Sequence, residues 1–178
     1  MTSGVQLLRA ARAASDGVGA PTYGDGGRDA GGRVRHALIA ALLSRFTRMD
    51  APLIRELTQH ETTAVGDADS GCGDALLACC WLLFMIGDVE DSAFVWRAKN
   101  LNFDCHSYID SVFLVPQGVI ATAKFARSHG LPDLANWVEG GGLSDSEEDA
   151  RGWRSGSFFA KVPSADTSVE ELASWLHG

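Results

Sequence analysis

The sequence predicts an all-α domain of stacked antiparallel helical hairpins, and three observations carry that prediction. Residues 75–86 (ALLACCWLLFMI) are apolar all round, the mark of a helix buried on every side. A Gly-Asp pair, Gly87-Asp88, follows directly and a second helical pattern begins. Segments of helical period, punctuated by Gly, Pro and Asp, fill most of the remaining chain, and none shows the sustained alternation of a half-buried strand.

The central pair anchors the reading. The apolar run is too short for a bilayer, which needs about 20 residues, so it belongs to a protein core. Asp74 stands at the expected N-cap and suits the positive helix end. Gly87 supplies the left-handed C-cap. Asp88, Glu90 and Asp91 open the next helix, whose stripe is Val89, Ala93, Phe94, Trp96 and Leu101. Arg97 and Lys99 lie at its C-terminal end, where cations are favoured, and Asn100 ends it. Met85, Trp81, Phe84, Phe94 and Trp96 are read as core.

Upstream, residues 1–15 form a short helix with Val5, Leu7, Leu8, Ala11 and Ala14 on one face. Residues 16–32 are Gly-rich and read as a linker. They contain no GxxxxGK[ST] and follow no apolar strand, so a phosphate loop is not expected. The helical core then runs over 33–139. Its first helix, 33–48, carries Val34, Leu38, Ala41, Leu42 and Phe46 on one side and Arg33, Arg35, Arg45 and Arg48 elsewhere. Asp50-Ala51-Pro52 starts a partner helix over 51–65. Residues 66–74 are a turn-rich connection. Downstream of the central pair, 107–115 is strand-like by composition, but a short helix fits its surroundings better. Pro116 opens another over 117–129 that stops at His129-Gly130, and Pro132 opens a short one with Leu134, Ala135, Trp137 and Val138. Residues 140–165 lose periodicity and read as an irregular acidic strap, tacked down by Trp153, Phe158 and Phe159. In 166–178, Thr167 and Glu170 have capping-box spacing ahead of a last helix with Val169, Leu172, Trp175 and Leu176.

Composition narrows the function. At 178 residues the chain is one domain with flanking elements. A net charge of −8 lacks the basic face that nucleic-acid binding requires. No signal peptide or membrane span is read, and the adjacent Cys79 and Cys80 suit reduced core thiols, so a cytoplasmic location is the expectation. Lysine is confined to positions 99, 124 and 161 against a larger arginine count, a bias that fits a GC-rich bacterial genome.

Residues 89–101 (VEDSAFVWRAKNL) align with 119–131 (VIATAKFARSHGL) at an offset of 30 residues. Val89, Ser92, Ala93, Arg97 and Leu101 meet Val119, Thr122, Ala123, Arg127 and Leu131, as stacked helix pairs require. The phrase Gly87-Asp88-Val89-Glu90, a helix, and then Ala98-Lys99-Asn100-Leu101-Asn102-Phe103-Asp104 resembles the second helix and connecting loop of an ankyrin-type repeat, with 107–130 as a degenerate next unit. The likeness spans 74–134. The chain departs from the family in having no Thr-Pro-Leu-His at the start of any first helix. The resemblance, ankyrin- or HEAT-like in character, implies protein–protein recognition rather than catalysis.

Several residue groups invite chemistry. Asp104-Cys105-His106 sets a thiol beside an imidazole, the makings of a nucleophile and base. Adjacent residues rarely converge on one site, however, and a polar loop holding a half-buried thiol is the simpler reading. Asp104 then serves as a helix cap. A metal site would need Cys72, Cys105, His60 and His106, yet no CxxC or paired-His spacing is present, so neither metal nor cofactor is expected. Glu61 with Asp67 and Asp69 could form paired carboxylates, though loop acids in an acidic chain need no such role. The charged rim of Asp88, Glu90, Asp91, Arg97, Lys99 and Asp104 reads most simply as a solvated face with dipole-matched ends; with Trp96 it is also the candidate face for a partner.

The expected function is therefore non-catalytic binding of a protein or peptide, by a small bacterial adaptor or accessory subunit. The alternatives are an accessory enzyme of peptide biosynthesis using Asp104, Cys105 and His106, and an acidic inhibitor or immunity-type protein matched to a basic toxin.

Overall fold

A computed structural model of the chain describes residues 2–14, 29, 31–67, 71–140, 143, 146–155, 159 and 161–177. Among them the regular elements are helical: α1 (Gly4–Ala13), α2 (Gly32–Arg45), α3 (Ala51–Asp67), α4 (Asp74–Ile86), α5 (Ser92–Lys99), α6 (Phe103–Tyr108), α7 (Val119–Ser128), α8 (Pro132–Glu139), α9 (Ser146–Arg154) and α10 (Val169–His177). Short 3-10 turns occupy Arg48–Asp50, Val89–Asp91 and Ser111–Leu114. The all-α expectation is met.

α4 is the hub. Every residue from Ala75 to Phe84 is buried, as is Ile86. It packs against α2, α3, α5, α10 and the turn at Ser111–Leu114. Gly87 closes it at φ +85°, a conformation in which a side chain would be strained. The N-cap is Gly73 rather than the expected Asp74, which lies in the first turn. Asp88 does open the next element, but as the cap of a 3-10 turn, with α5 proper starting at Ser92.

α2 differs from its expected amphipathic pattern. Residues 37–43 are all buried, Val34 is about half exposed, and Arg35 is 1% exposed. Four neighbours explain this, because α2 contacts α1, α3, α4 and α10. Its contact with α10 is the most extensive in the fold. Small side chains allow the close approach, since Ala37, Ala40 and Ala41 meet Ala165, Leu172 and Ala173.

The chain thus returns to its beginning. The Ser3–Gln6 capping box starts α1. The exposed amides of α1's first turn are taken by the far segment: Gly4 N–H donates to Thr167 O at 3.0 Å and Val5 N–H to Ala165 O at 2.7 Å. Val169 N–H donates back to Thr2 O at 3.2 Å. These bonds satisfy donors that a helix start otherwise leaves to water. The cap of α10 is one residue later than expected, with Ser168 Oγ accepting from Glu171 N–H.

α9 replaces expected irregular chain, and α6 lies ahead of the short helix expected over 107–115. α6 begins after Asn102, whose side chain accepts from Cys105 N–H at 2.8 Å, so Asn102 rather than Asp104 is the cap. The apolar segment after it forms the 3-10 turn Ser111–Leu114 within the core. α9 lies inside the expected strap and is tied down at its end: Trp153 Nε1 donates to Asp110 at 2.6 Å, Trp81 Nε1 donates to Trp153 O, and Arg154 lies over the Phe84 ring. Phe159 also packs on Trp81. The expectations for Phe158, Asp69 and most of 16–32 fall outside the described residues.

Candidate functional site

A cleft of about 820 Å³ opens between α2, the C-terminal half of α3, the first turn of α4 and α10. Its charged centre is Arg35. The guanidinium Nε donates to Glu61 Oε1 at 2.8 Å, and Nη2 donates to Asp29. Glu61 is itself buried, and its other oxygen lies 3.4 Å from His36 Nε2. The fork edge of Arg35 is therefore spent on two carboxylates, whereas Nη1 is buried without a hydrogen-bond partner among the described residues. Such an unpaired buried donor costs about 1–3 kcal/mol. Burial works to lower the Arg35 pKa, but Asp29 and Glu61 outweigh it and the group is held above its ordinary value.

The opposite wall is the start of α4. Gly73, Asp74, Ala75 and Leu76 line the cleft, and no side chain caps this helix end. Free amides at a helix start carry partial positive charge. Asp74 is engaged sideways: the Tyr108 hydroxyl donates to its carboxylate, and that bond pushes the Tyr108 phenol up to about 12. The floor is aliphatic, from Val65, Ala173 and Leu176 among others. The cleft therefore offers donors on two walls, acids beside them and apolar surface between. None of this was expected from sequence, where Arg35 was placed on the polar side of α2. Of the carboxylates weighed from sequence, Glu61 is engaged by Arg35 and His36, and Asp69 and the side chain of Asp67 lie outside the described residues.

The Asp104-Cys105-His106 triplet is dispersed by helix geometry. Successive residues on a helix point about 100° apart. Asp104 and His106 are exposed, while Cys105 is fully buried. Burial pushes the Cys105 thiol up, against a lowering hydrogen bond from Cys72. A protonated, enclosed thiol is a poor nucleophile. Segment 71–74 is laced to α6: a Cβ on Gly71 would lie 3.3 Å from Asp104 Oδ2, and Asp74 meets Tyr108. Cys72 and Cys105 lie between these contacts. All four cysteines are free thiols. Among the described residues no group of three or more His, Cys, Asp or Glu is arranged to hold a metal ion.

The expected partner face is divided. Glu90, Arg97 and Asp104 are exposed and Asp88 is partly so. Trp96 stacks on Trp137 with ring centroids 5.9 Å apart. Asp91 and Lys99 are turned inward and are not surface groups. Asp91 is 1% exposed and accepts from Arg55 Nε at 2.5 Å. The Lys99 ammonium donates to the carbonyls of His106 and Ile109, pinning both ends of the segment that follows α6's centre. Their charges read as surface from sequence because the partners that bury them come from other elements.

Among the described residues no helix is long and apolar enough to cross a membrane. Comparison of the chain with protein-family models, curated proteins and solved structures finds no match.

Proposed function

We propose that the protein is a non-catalytic binding module for a peptide or protein segment, and that the Arg35 cleft is where the segment sits. In this reading α4–α5 and α7–α8 are two degenerate units of a helical-hairpin stack, and the protein serves as a soluble bacterial adaptor in the cytoplasm. One observation carries the proposal: an uncapped helix start, an arginine tied to two carboxylates and an aliphatic floor line one cleft. The helix start supplies hydrogen-bond donors and the neighbouring acids supply acceptors, which together complement the alternating N–H and C=O of a polypeptide. The buried, proton-holding Cys105 speaks against the enzymatic alternative.

The test is selection from a displayed random-peptide library, followed by amide NMR mapping of the selected peptides on the full chain. Peptides that shift residues of α2, α4 and α10 around the cleft support the reading. Selected peptides that map elsewhere, or a library that yields none, would sink it.

A further inference from the structure

We infer that Cys72 and Cys105 are a reversible dithiol, which a low-molecular-weight disulfide converts into a disulfide bond that locks one wall of the cleft to α6. The two thiols sit on separate segments that the fold holds against each other. Cys72 immediately precedes Gly73, the cap of α4. Cys105 is the inward residue of α6's first turn, and its N–H donates to Asn102 Oδ1 at 2.8 Å. Contacts bracket the pair on both sides. A Cβ on Gly71 would lie 3.3 Å from Asp104 Oδ2, and the Tyr108 hydroxyl donates to Asp74. Between these contacts the Cys72 thiol donates to the Cys105 sulfur. The Lys99 ammonium holds the carbonyls of His106 and Ile109, so the backbone around Cys105 is fixed before and after it.

Exposure sets the order of events. Cys72 is the partly exposed member of the pair and Cys105 is enclosed. Cys72 gives up its proton and its thiolate attacks one sulfur of the external disulfide. That S–S bond breaks, the other half leaves as a thiolate that takes up a proton, and Cys72 remains in a mixed disulfide. Cys105 then gives up its proton and attacks Cys72 Sγ. The Cys72–Cys105 bond forms, and the second half leaves as a thiol. Two protein thiols are oxidised and the external disulfide is reduced to two thiols. Burial holds both protein thiols above their ordinary range, so the first step is slow and answers a sustained oxidising poise rather than a brief pulse. The second step is favoured because attack within one chain replaces an encounter. Gly71, Gly73 and Asp74, which flank Cys72, line the cleft, so the new bond fixes that wall. The chemistry of the pair does not depend on what the cleft binds.

The test is incubation of the reduced full chain with glutathione disulfide at mildly alkaline pH, followed by acid quench, denaturation, alkylation and peptide mass spectrometry. The expected product is a monomer lighter by two hydrogens, with the Cys72 and Cys105 peptides joined and Cys79 and Cys80 alkylated. Hydrogen exchange at residues 71–74 and 103–109 should slow by about tenfold or more against the reduced chain, and a monothiol reductant should restore both mass and exchange. Cys105→Ala is expected to stop at a glutathione adduct on Cys72. Cys72→Ser, at a partly exposed position that tolerates the change, forms no bond within the chain and serves as the control should Cys105→Ala fail to fold. A glutathione adduct that persists on wild-type Cys72, a Cys72–Cys80 link, a dimer bridged through Cys72, or no oxidation without denaturant would overturn the dithiol. A Cys72–Cys105 bond that leaves exchange at 71–74 unchanged would overturn the lock on the wall.

Discussion

Arg12 holds Asp50 with two arms of its guanidinium: Nε and Nη2 each donate at 2.7 Å, one to each carboxylate oxygen. Asp50 is 2% exposed and also accepts from Thr47 N–H at 2.7 Å. This knot joins α1 to the start of α3. Burial works to raise the Asp50 pKa, but Arg12 and Thr47 outweigh it and hold the carboxyl below its ordinary value. A depressed acid contributes stability above its unfolded pKa and loses it as pH falls through the folded one. Asp50→Asn should cost about 1–3 kcal/mol at neutral pH. In urea unfolding across pH, the gap between wild type and variant should stay level above about pH 5 and narrow below about pH 4.

Asp91 should behave in the opposite sense. Burial pushes it up despite Arg55, and its Oδ2 has no hydrogen-bond partner among the described residues. An acid raised by folding is most favourable below its unfolded pKa, and that contribution is lost as pH rises through the folded value. Asp91→Asn is expected within about 1 kcal/mol of wild type at pH 7, with wild type gaining on the variant as the solution is acidified. The same urea series checks it, and a gap that moves in parallel with that of Asp50→Asn would refute the distinction.

Lys99→Met should loosen α6 rather than the whole domain. The substitution keeps the aliphatic stem and strands the His106 and Ile109 carbonyls, at a cost of about 2 kcal/mol. Hydrogen exchange should accelerate across residues 103–111 while α4 stays protected.

Gly4→Ala should destabilise by about 1–3 kcal/mol. Its Cβ would lie 2.3 Å from Leu172 Cδ1 and 2.8 Å from Ala165 O, and the second of these is backbone that already accepts from Val5. Thermal unfolding of Gly4→Ala beside Gly73→Ala, where space is open, separates crowding from the general effect of replacing glycine.

Thiol reactivity gives a direct check on the dispersed triplet. Cys79, Cys80 and Cys105 are buried and Cys72 is only partly exposed. Iodoacetamide on the native protein at neutral pH should modify Cys72 slowly and the other three only after denaturation, as peptide mass spectrometry can read. Preferential alkylation of Cys105 would restore it as a nucleophile.

The hub was legible from sequence because α4 needs no partner to declare itself: twelve consecutive apolar residues ending at Gly87 admit one reading. α6 was legible only out of place, as a helix over 107–115, since Phe103 and Tyr108 are exposed and leave no apolar stripe to mark its start. α9 was hidden by its acids and Gly152, and what holds it is the reach of Trp153 to Asp110 on another element. The site was hidden for the same reason. Local periodicity set Arg35 on the wet side of α2 and Val34 on the dry side, and the structure reverses them. Glu61, arriving from α3, and Asp29 together make an inward arginine tenable.

The seating of α10 on α2 has a consequence for how the protein is made. A nascent chain leaving the ribosome exposes the alanine face of its second helix long before the covering helix is synthesised. Pairing so distant in sequence also slows folding in general. Until α10 emerges, that face is an uncovered apolar strip, so self-association during expression should be concentrated in chains truncated before residue 165.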